Sequence, residues 1–189
     1  VQQSIEISLL PQRIEVDAII MFQDILTPLA PVGAEFRFTP GPTLEAPIRT
    51  TVQVQALRPL NPQQDIPHVG EILQGIQARL GGALPVLGFA GAPVTLAFFM
   101  IAGQSPTRQI PDVLRFFSEA PKLVQTLLDY LTNFTIDYLH YQIDSGAHAV
   151  QVFESMADVL PRELYEQFAL PTHERIFAAL PKTTPAILF

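Results

Sequence analysis

The sequence predicts an α/β fold built on a parallel sheet, and three observations predict it. Helix-like and strand-like segments alternate along the 189 residues, with strand candidates spaced roughly 40 to 65 residues apart, which suits β/α units better than hairpins. The strand candidates are continuous apolar runs, as strands covered on both faces require. Each of the first three hands over to polar or glycine residues at its C-terminal end, the end at which α/β enzymes carry their chemistry.

The first run is Ala18-Ile19-Ile20-Met21-Phe22, and it stops at Gln23-Asp24. Ile20 and Met21 are expected to pack inside. Residues 40–67 differ: they are proline-rich, place Thr50, Thr51, Val52 and Val54 in a strand-like order, and read as an excursion between β/α units. The second run, residues 85–89, enters a Gly88-Phe89-Ala90-Gly91-Ala92-Pro93 turn and then a helix. Pro93 suits a first helical turn, where the amide hydrogen it lacks would have no partner. The two glycines are expected to let backbone approach a ligand. No charged residue occurs between Arg79 and Arg108, so a membrane span competes for this stretch. Gly81, Gly82, Pro85, Gly88, Gly91 and Pro93 would break such a helix repeatedly, and the strand-turn-helix reading stands.

Farther on, Leu123, Val124, Leu127, Leu128, Leu131, Phe134 and Leu139 recur at helical spacing, with Pro121 at the entry and Gly146 as the cap. The third strand, residues 149–153, ends at Glu154-Ser155. A helix over 162–180 follows, started after Pro161 and stopped at Pro181, with Phe168 and Pro171 marking a break inside it. Residues 186–189 form the fourth strand. No internal repeat or low-complexity tract interrupts the pattern.

Composition narrows the function. At 48% hydrophobic and 15% charged residues, the chain has enough apolar side chains for a substantial core. It has no cysteine, which excludes disulfides and thiolate metal sites within it and permits a reducing compartment, so a cytoplasmic location is expected. A net charge of −7 with only 11 scattered Lys and Arg argues against a nucleic-acid partner. No targeting or membrane segment is read. The chain starts at Val1 and stops inside an apolar run, as a piece of a longer protein would. Asp24 is the first candidate for chemistry, because it lies just past an apolar strand where a side chain can reach a barrel mouth. The competing reading is a cap or turn aspartate.

Five ordered segments carry a resemblance to one family. Residues 88–99, GFAGAPVTLAFF, resemble the GFAGAP(W/F)TLxxY segment of the uroporphyrinogen decarboxylase family, and Glu6-Ile7-Ser8-Leu9-Leu10-Pro11 resembles its EVTLQP. Residues 17–26 resemble DAAIIFSDIL, Val152-Phe153-Glu154-Ser155 resembles LFES, and Phe168-Ala169-Leu170-Pro171 resembles FALP. The resemblance implies a (β/α)8 TIM barrel, which needs about 250 residues and eight strands. Residues 1–189 would then be a single, incomplete domain covering about half of the barrel. It also implies the activity, removal of carbon dioxide from the four acetate side chains of uroporphyrinogen III to give coproporphyrinogen III in haem biosynthesis, without metal or organic cofactor. The enzyme would be a homodimer.

By the same resemblance, Asp24 is the carboxylate that accepts hydrogen bonds from the pyrrole N–H groups, and Ser155 binds a substrate carboxylate. Phe89 and Phe153 fall at positions lining the pocket for the flat macrocycle. Phe99 stands at a substrate-binding position where the family has tyrosine, so the ring is kept and a hydrogen-bond donor is lost. Gln23 replaces a serine, and Met156-Ala157-Asp158 replaces HAG or WAG. The family's arginine pair is expected upstream of Val1 and its histidine downstream of Phe189; His68, His140, His148 and His173 do not match that histidine and are expected in structural or surface roles. Two other readings share the resemblance: a zinc- or corrinoid-dependent methyltransferase of the same superfamily, whose metal ligands would be Cys and His, and a non-catalytic tetrapyrrole-binding relative.

Overall fold

The apolar runs find one another as the pattern predicts. A computed structural model describes residues 1–38 and 40–189. The chain opens with helix α1 (Gln2–Leu9), strand β1 (Ile19–Ile20) and a hairpin of β2 (Phe36–Phe38) and β3 (Pro42–Leu44). Helices α2 (Thr51–Gln55), α3 (Pro62–Asp65) and α4 (Pro67–Leu80) lead to β4 (Val86–Gly91) and α5 (Pro93–Ala102). Then come α6 (Ile110–Glu119), α7 (Pro121–Asp144), β5 (Ala149–Phe153), α8 (Arg162–Leu164), α9 (Leu170–Ala179) and β6 (Ala186–Leu188). Strands β1, β4, β5 and β6 form one parallel sheet in that order, each joined to the next through helices. Sequential parallel neighbours with helical crossovers are the arc of a (β/α)8 barrel, and this chain supplies half of one.

The core lies between that sheet and its helices. Helix α5 is buried at every position except Phe99, so the uncharged stretch is explained by enclosure in protein. Among the described residues no helix is long and apolar enough to cross a membrane. Phe98, Phe117 and Phe168 pack ring to ring at 5.3 Å per pair, each contributing about 1.5–3 kcal/mol through burial.

Several expectations are corrected. β1 pairs over two residues, Ile19 with Val86 and Ile20 with Leu87. The pairing ends because Gln142 of α7 takes the Phe89 amide and carbonyl that the next residues of β1 would meet, while the Phe22 amide, on the edge away from β4, donates 2.8 Å to the Ser8 hydroxyl of α1. Met21 is buried as expected, whereas Ile20 is 39% exposed. β4 begins one residue later and runs two residues farther than the run 85–89. Thr50 and its β-branched neighbours form α2, not a strand. Thr50 caps that helix, its Oγ1 accepting from the Gln53 amide at 3.3 Å, while the Gln53 side-chain oxygen accepts from the Arg49 amide at 3.0 Å. This near-capping box outweighs β-propensity in a segment where Val52 is exposed and has no sheet to join.

The break expected within 162–180 takes a definite form: Tyr165–Ala169 is one turn of π-helix between α8 and α9, and Pro171 lies in the first turn of α9. α7 ends at Asp144 with Ser145 as its cap, and Gly146 follows with φ 104°. That left-handed residue, the expected cap glycine, lies one position beyond Ser145 and reverses the chain into β5. His148 starts the next ladder, its Nδ1 accepting from the Val86 amide at 3.0 Å, a structural role.

Candidate active site

The C-terminal ends of β1, β4 and β5 open into a cleft of about 440 Å3. Ile20, Phe22 and Asp24 come from the end of β1, Phe89 from β4, and Phe153 and Ser155 from the end of β5, while Ile7, Ser8 and Pro11 form a side wall. The structure thus gathers four sequence-predicted residues, Asp24, Phe89, Phe153 and Ser155, on one cavity. The fifth, Phe99, lies outside this lining: it is half-buried and meets Phe36 of the hairpin edge-on at 6.5 Å.

Asp24 is exposed, and its Oδ1 accepts from the Leu26 amide at 2.6 Å. The Asx turn so formed tips the chain from the strand into the following 3-10 turn, Thr27–Val32. The bland reading of Asp24 as a turn aspartate therefore describes one of its oxygens. Among the described residues Asp24 makes no other side-chain hydrogen bond, and it is the only charged side chain among those lining the cleft. Its surroundings are apolar: Phe22 is 55% exposed, and Phe89 and Phe153 stand edge-to-face at 5.5 Å. A flat apolar ligand bearing N–H groups matches this combination, since aromatic edges and faces pack against a ring while the carboxylate accepts hydrogen bonds.

The wall beneath is held by side chains that sequence reasoning missed. Gln142 of α7 lies against β4, its Oε1 accepting from the Phe89 amide and its Nε2 donating to the Phe89 carbonyl, both at 2.8 Å. Gly88 exists for this clamp, since a Cβ there would lie 2.5 Å from Gln142 Oε1. A Cβ at Gly91 would lie 2.7 Å from Leu96. Both glycines therefore make room for protein packing rather than for a ligand, contrary to expectation. Next to Asp24, Gln23 accepts from the Tyr138 hydroxyl at 3.3 Å, and its buried Nε2 has no partner among the described residues. Burial pushes the Tyr138 phenol well above the ordinary tyrosine range, so it stays a neutral donor.

At the end of β5, Glu154 is 4% exposed. Its Oε1 accepts from the Thr95 hydroxyl at 2.6 Å, and its Oε2 lies 3.0 Å from His173 Nε2. Tyr165 approaches the other ring nitrogen of His173 at 3.4 Å. The signal available in the sequence was Thr95, the one polar residue of α5, and Glu154, an acidic residue directly after β5. Ser155 itself is exposed. Among the described residues, no group of three or more His, Cys, Asp and Glu side chains is arranged to hold a metal ion.

A family model described as uroporphyrinogen decarboxylase (URO-D) matches residues 2–189. A uroporphyrinogen decarboxylase of Geobacter metallireducens is 39% identical over 186 residues, covering 97% of this chain and 54% of the relative. One from Synechococcus sp. (strain CC9605) is 41% identical over 192 residues, covering 98% of this chain and 54% of the relative. The chain spans about half the length of the curated relatives it matches. Among solved structures, a methyltransferase from Methanosarcina mazei superposes with a TM-score of 0.74 at 17% identity, over 99% of this chain and 55% of that one, a likeness of fold alone.

Proposed function

This chain belongs to the uroporphyrinogen decarboxylase family, and from that premise we propose that its protein decarboxylates the acetate arms of uroporphyrinogen to give coproporphyrinogen, with Asp24 as the carboxylate that receives the pyrrole N–H groups. The single observation behind this reading is the position of Asp24, the one charged side chain among the described residues of an apolar cleft at the C-terminal ends of three parallel strands.

The chemistry asks for such a group. Protonation of the pyrrole carbon beside the arm places positive charge on the ring nitrogen. The bond between the arm's methylene and its carboxylate then breaks, its electron pair flows into the ring, and carbon dioxide leaves. Protonation of the resulting methylene and loss of the first added proton give a methyl group, for a net uptake of one proton per arm. A fixed carboxylate at the N–H groups stabilises the cation as it forms, most effectively where apolar walls exclude water. Because the ring is its own electron sink, this route asks for no cofactor. Phe22, Phe89 and Phe153 would flank the macrocycle, and Ser155 would donate to one substrate carboxylate. Phe99 supplies shape but no hydroxyl. The substrate's other carboxylates require cations from outside this cleft lining. The isomer preference for uroporphyrinogen III, a single barrel domain, a homodimer and a cytoplasmic location belong to the same proposal.

In the complete protein, Asp24→Asn should lower carbon dioxide release about 10²–10³-fold, the cost of removing one preorganised electrostatic contact, with circular dichroism and thermal midpoint unchanged. Near-normal turnover would overturn the role of Asp24. Tight binding of the substrate by the unsubstituted protein without carbon dioxide release would replace the decarboxylase with a binding relative.

A further inference from the structure

We propose that the buried Glu154, Thr95 and His173 form a positioning device for Ser155, fixing the hydroxyl that meets a substrate carboxylate; the inference rests on the decarboxylase reading above. Ser155 is exposed and forms no side-chain hydrogen bond among the described residues. Its two neighbours are tied instead. The Glu154 amide donates to the Phe189 carbonyl at 2.8 Å, and the Ala157 amide donates back to the Glu154 carbonyl at 3.1 Å. The Met156 amide donates to Thr95 Oγ1 at 3.3 Å, and that same hydroxyl donates to Glu154 Oε1 at 2.6 Å. Thr95 therefore bridges the residues on either side of Ser155.

The polarity of the bridge is dictated by Glu154. A hydroxyl has one proton, and giving it to a carboxylate leaves its lone pairs for the Met156 N–H. The second carboxylate oxygen is engaged by His173, which must carry its proton on Nε2 to donate there, leaving Nδ1 to face the Tyr165 hydroxyl. Burying a carboxylate costs several kcal/mol unless it is well hydrogen-bonded. Packing alone would be served as well by an apolar side chain, so the value of Glu154 lies in the direction it imposes on Thr95 and hence on the Ser155 loop.

The test is a double-mutant cycle in the complete protein. Thr95→Val, which keeps the shape and removes the hydroxyl, should raise KM for uroporphyrinogen about tenfold, the cost of one hydrogen bond to a charged group, and change kcat much less. Ser155→Ala should do the same, and the double variant should be no worse than Ser155→Ala alone, because coupled sites do not add. Thr95→Ser should recover the loss. A double variant in which the two effects multiply would overturn the proposal. If Thr95→Val does not fold, Thr95→Ala, which also removes the hydroxyl, carries the same expectation.

Amide exchange provides a readout independent of turnover. Exchange at Met156 should accelerate in Thr95→Val and stay unchanged in Ser155→Ala; unchanged exchange in Thr95→Val overturns the positioning role. Accelerated exchange in a protein that releases no carbon dioxide would support the positioned loop while removing the decarboxylase reading.

Discussion

Asp24 and Ser155 stand at equivalent places, each just past a parallel strand on the same cleft, and yet they are held in opposite ways. Asp24 follows a strand with only two paired residues and fixes itself, spending one carboxylate oxygen on the amide two residues ahead. Ser155 follows a strand paired on both sides, makes no such bond, and is framed by neighbours anchored in a buried polar cluster. A group that bears charge can organise its own turn and still have an oxygen to offer. A neutral hydroxyl left free to meet a ligand, the role proposed for Ser155, needs others to organise it.

The contrast sets the order of the expected effects. The largest stability loss should come from Glu154→Ala, which leaves Thr95 and His173 without their acceptor and opens a cavity, at about 3–5 kcal/mol in denaturant unfolding. Asp24→Asn should cost less than about 1 kcal/mol in the same assay, since an amide oxygen still accepts from Leu26. Equal losses at the two positions would erase the contrast. Gln142→Ala, which orphans both backbone groups of Phe89, should cost about 2–3 kcal/mol and loosen the cleft wall. Ser8→Ala removes the hydroxyl that takes the Phe22 amide in place of a strand, and should cost about 1–2 kcal/mol, with faster exchange at Phe22 as the direct check.

The smallest effect concerns acid. Burial holds the His68 imidazole below its usual range, so the folded state resists its protonation. Stability from this source is complete above pH 6.5 and is lost as pH falls through the lowered value. His68→Gln should therefore flatten the decline of the thermal midpoint on the acid side; an unaltered slope would assign that decline to other groups.

Much of the arc was legible in the sequence because parallel strands are apolar runs with polar ends. The third strand was located without error, and the break between Phe168 and Pro171 was real. β1 was drawn too long because the backbone groups it would meet next, those of Phe89, are taken by the Gln142 side chain from a helix that no local pattern connects to it. Thr50 was misread because β-branched residues signal a strand only where a sheet is available, and its capping bond to Gln53 decides otherwise. The residues that line the cleft were visible at strand ends. Its support was not: Thr95 and Glu154 are 59 residues apart, Phe89 and Gln142 are 53 apart, and nothing in periodicity pairs such positions. Gly88 was noticed, but only the structure shows that the room it leaves is filled by an amide.

The π-helical turn between α8 and α9 sets a phase. Each α-helical residue advances the side-chain direction by about 100°, so a wider turn lets Phe168 reach the aromatic core while Thr172, His173 and Ile176 all turn inward on the following segment. Deleting one residue from Tyr165–Ala169 would make a smoother, locally more favourable helix, and would swing His173 away from Glu154 by more than a quarter-turn. Insertions and deletions here are therefore not neutral adjustments of a surface helix: the chain length of this one turn is a dial that selects which side chain the carboxylate meets.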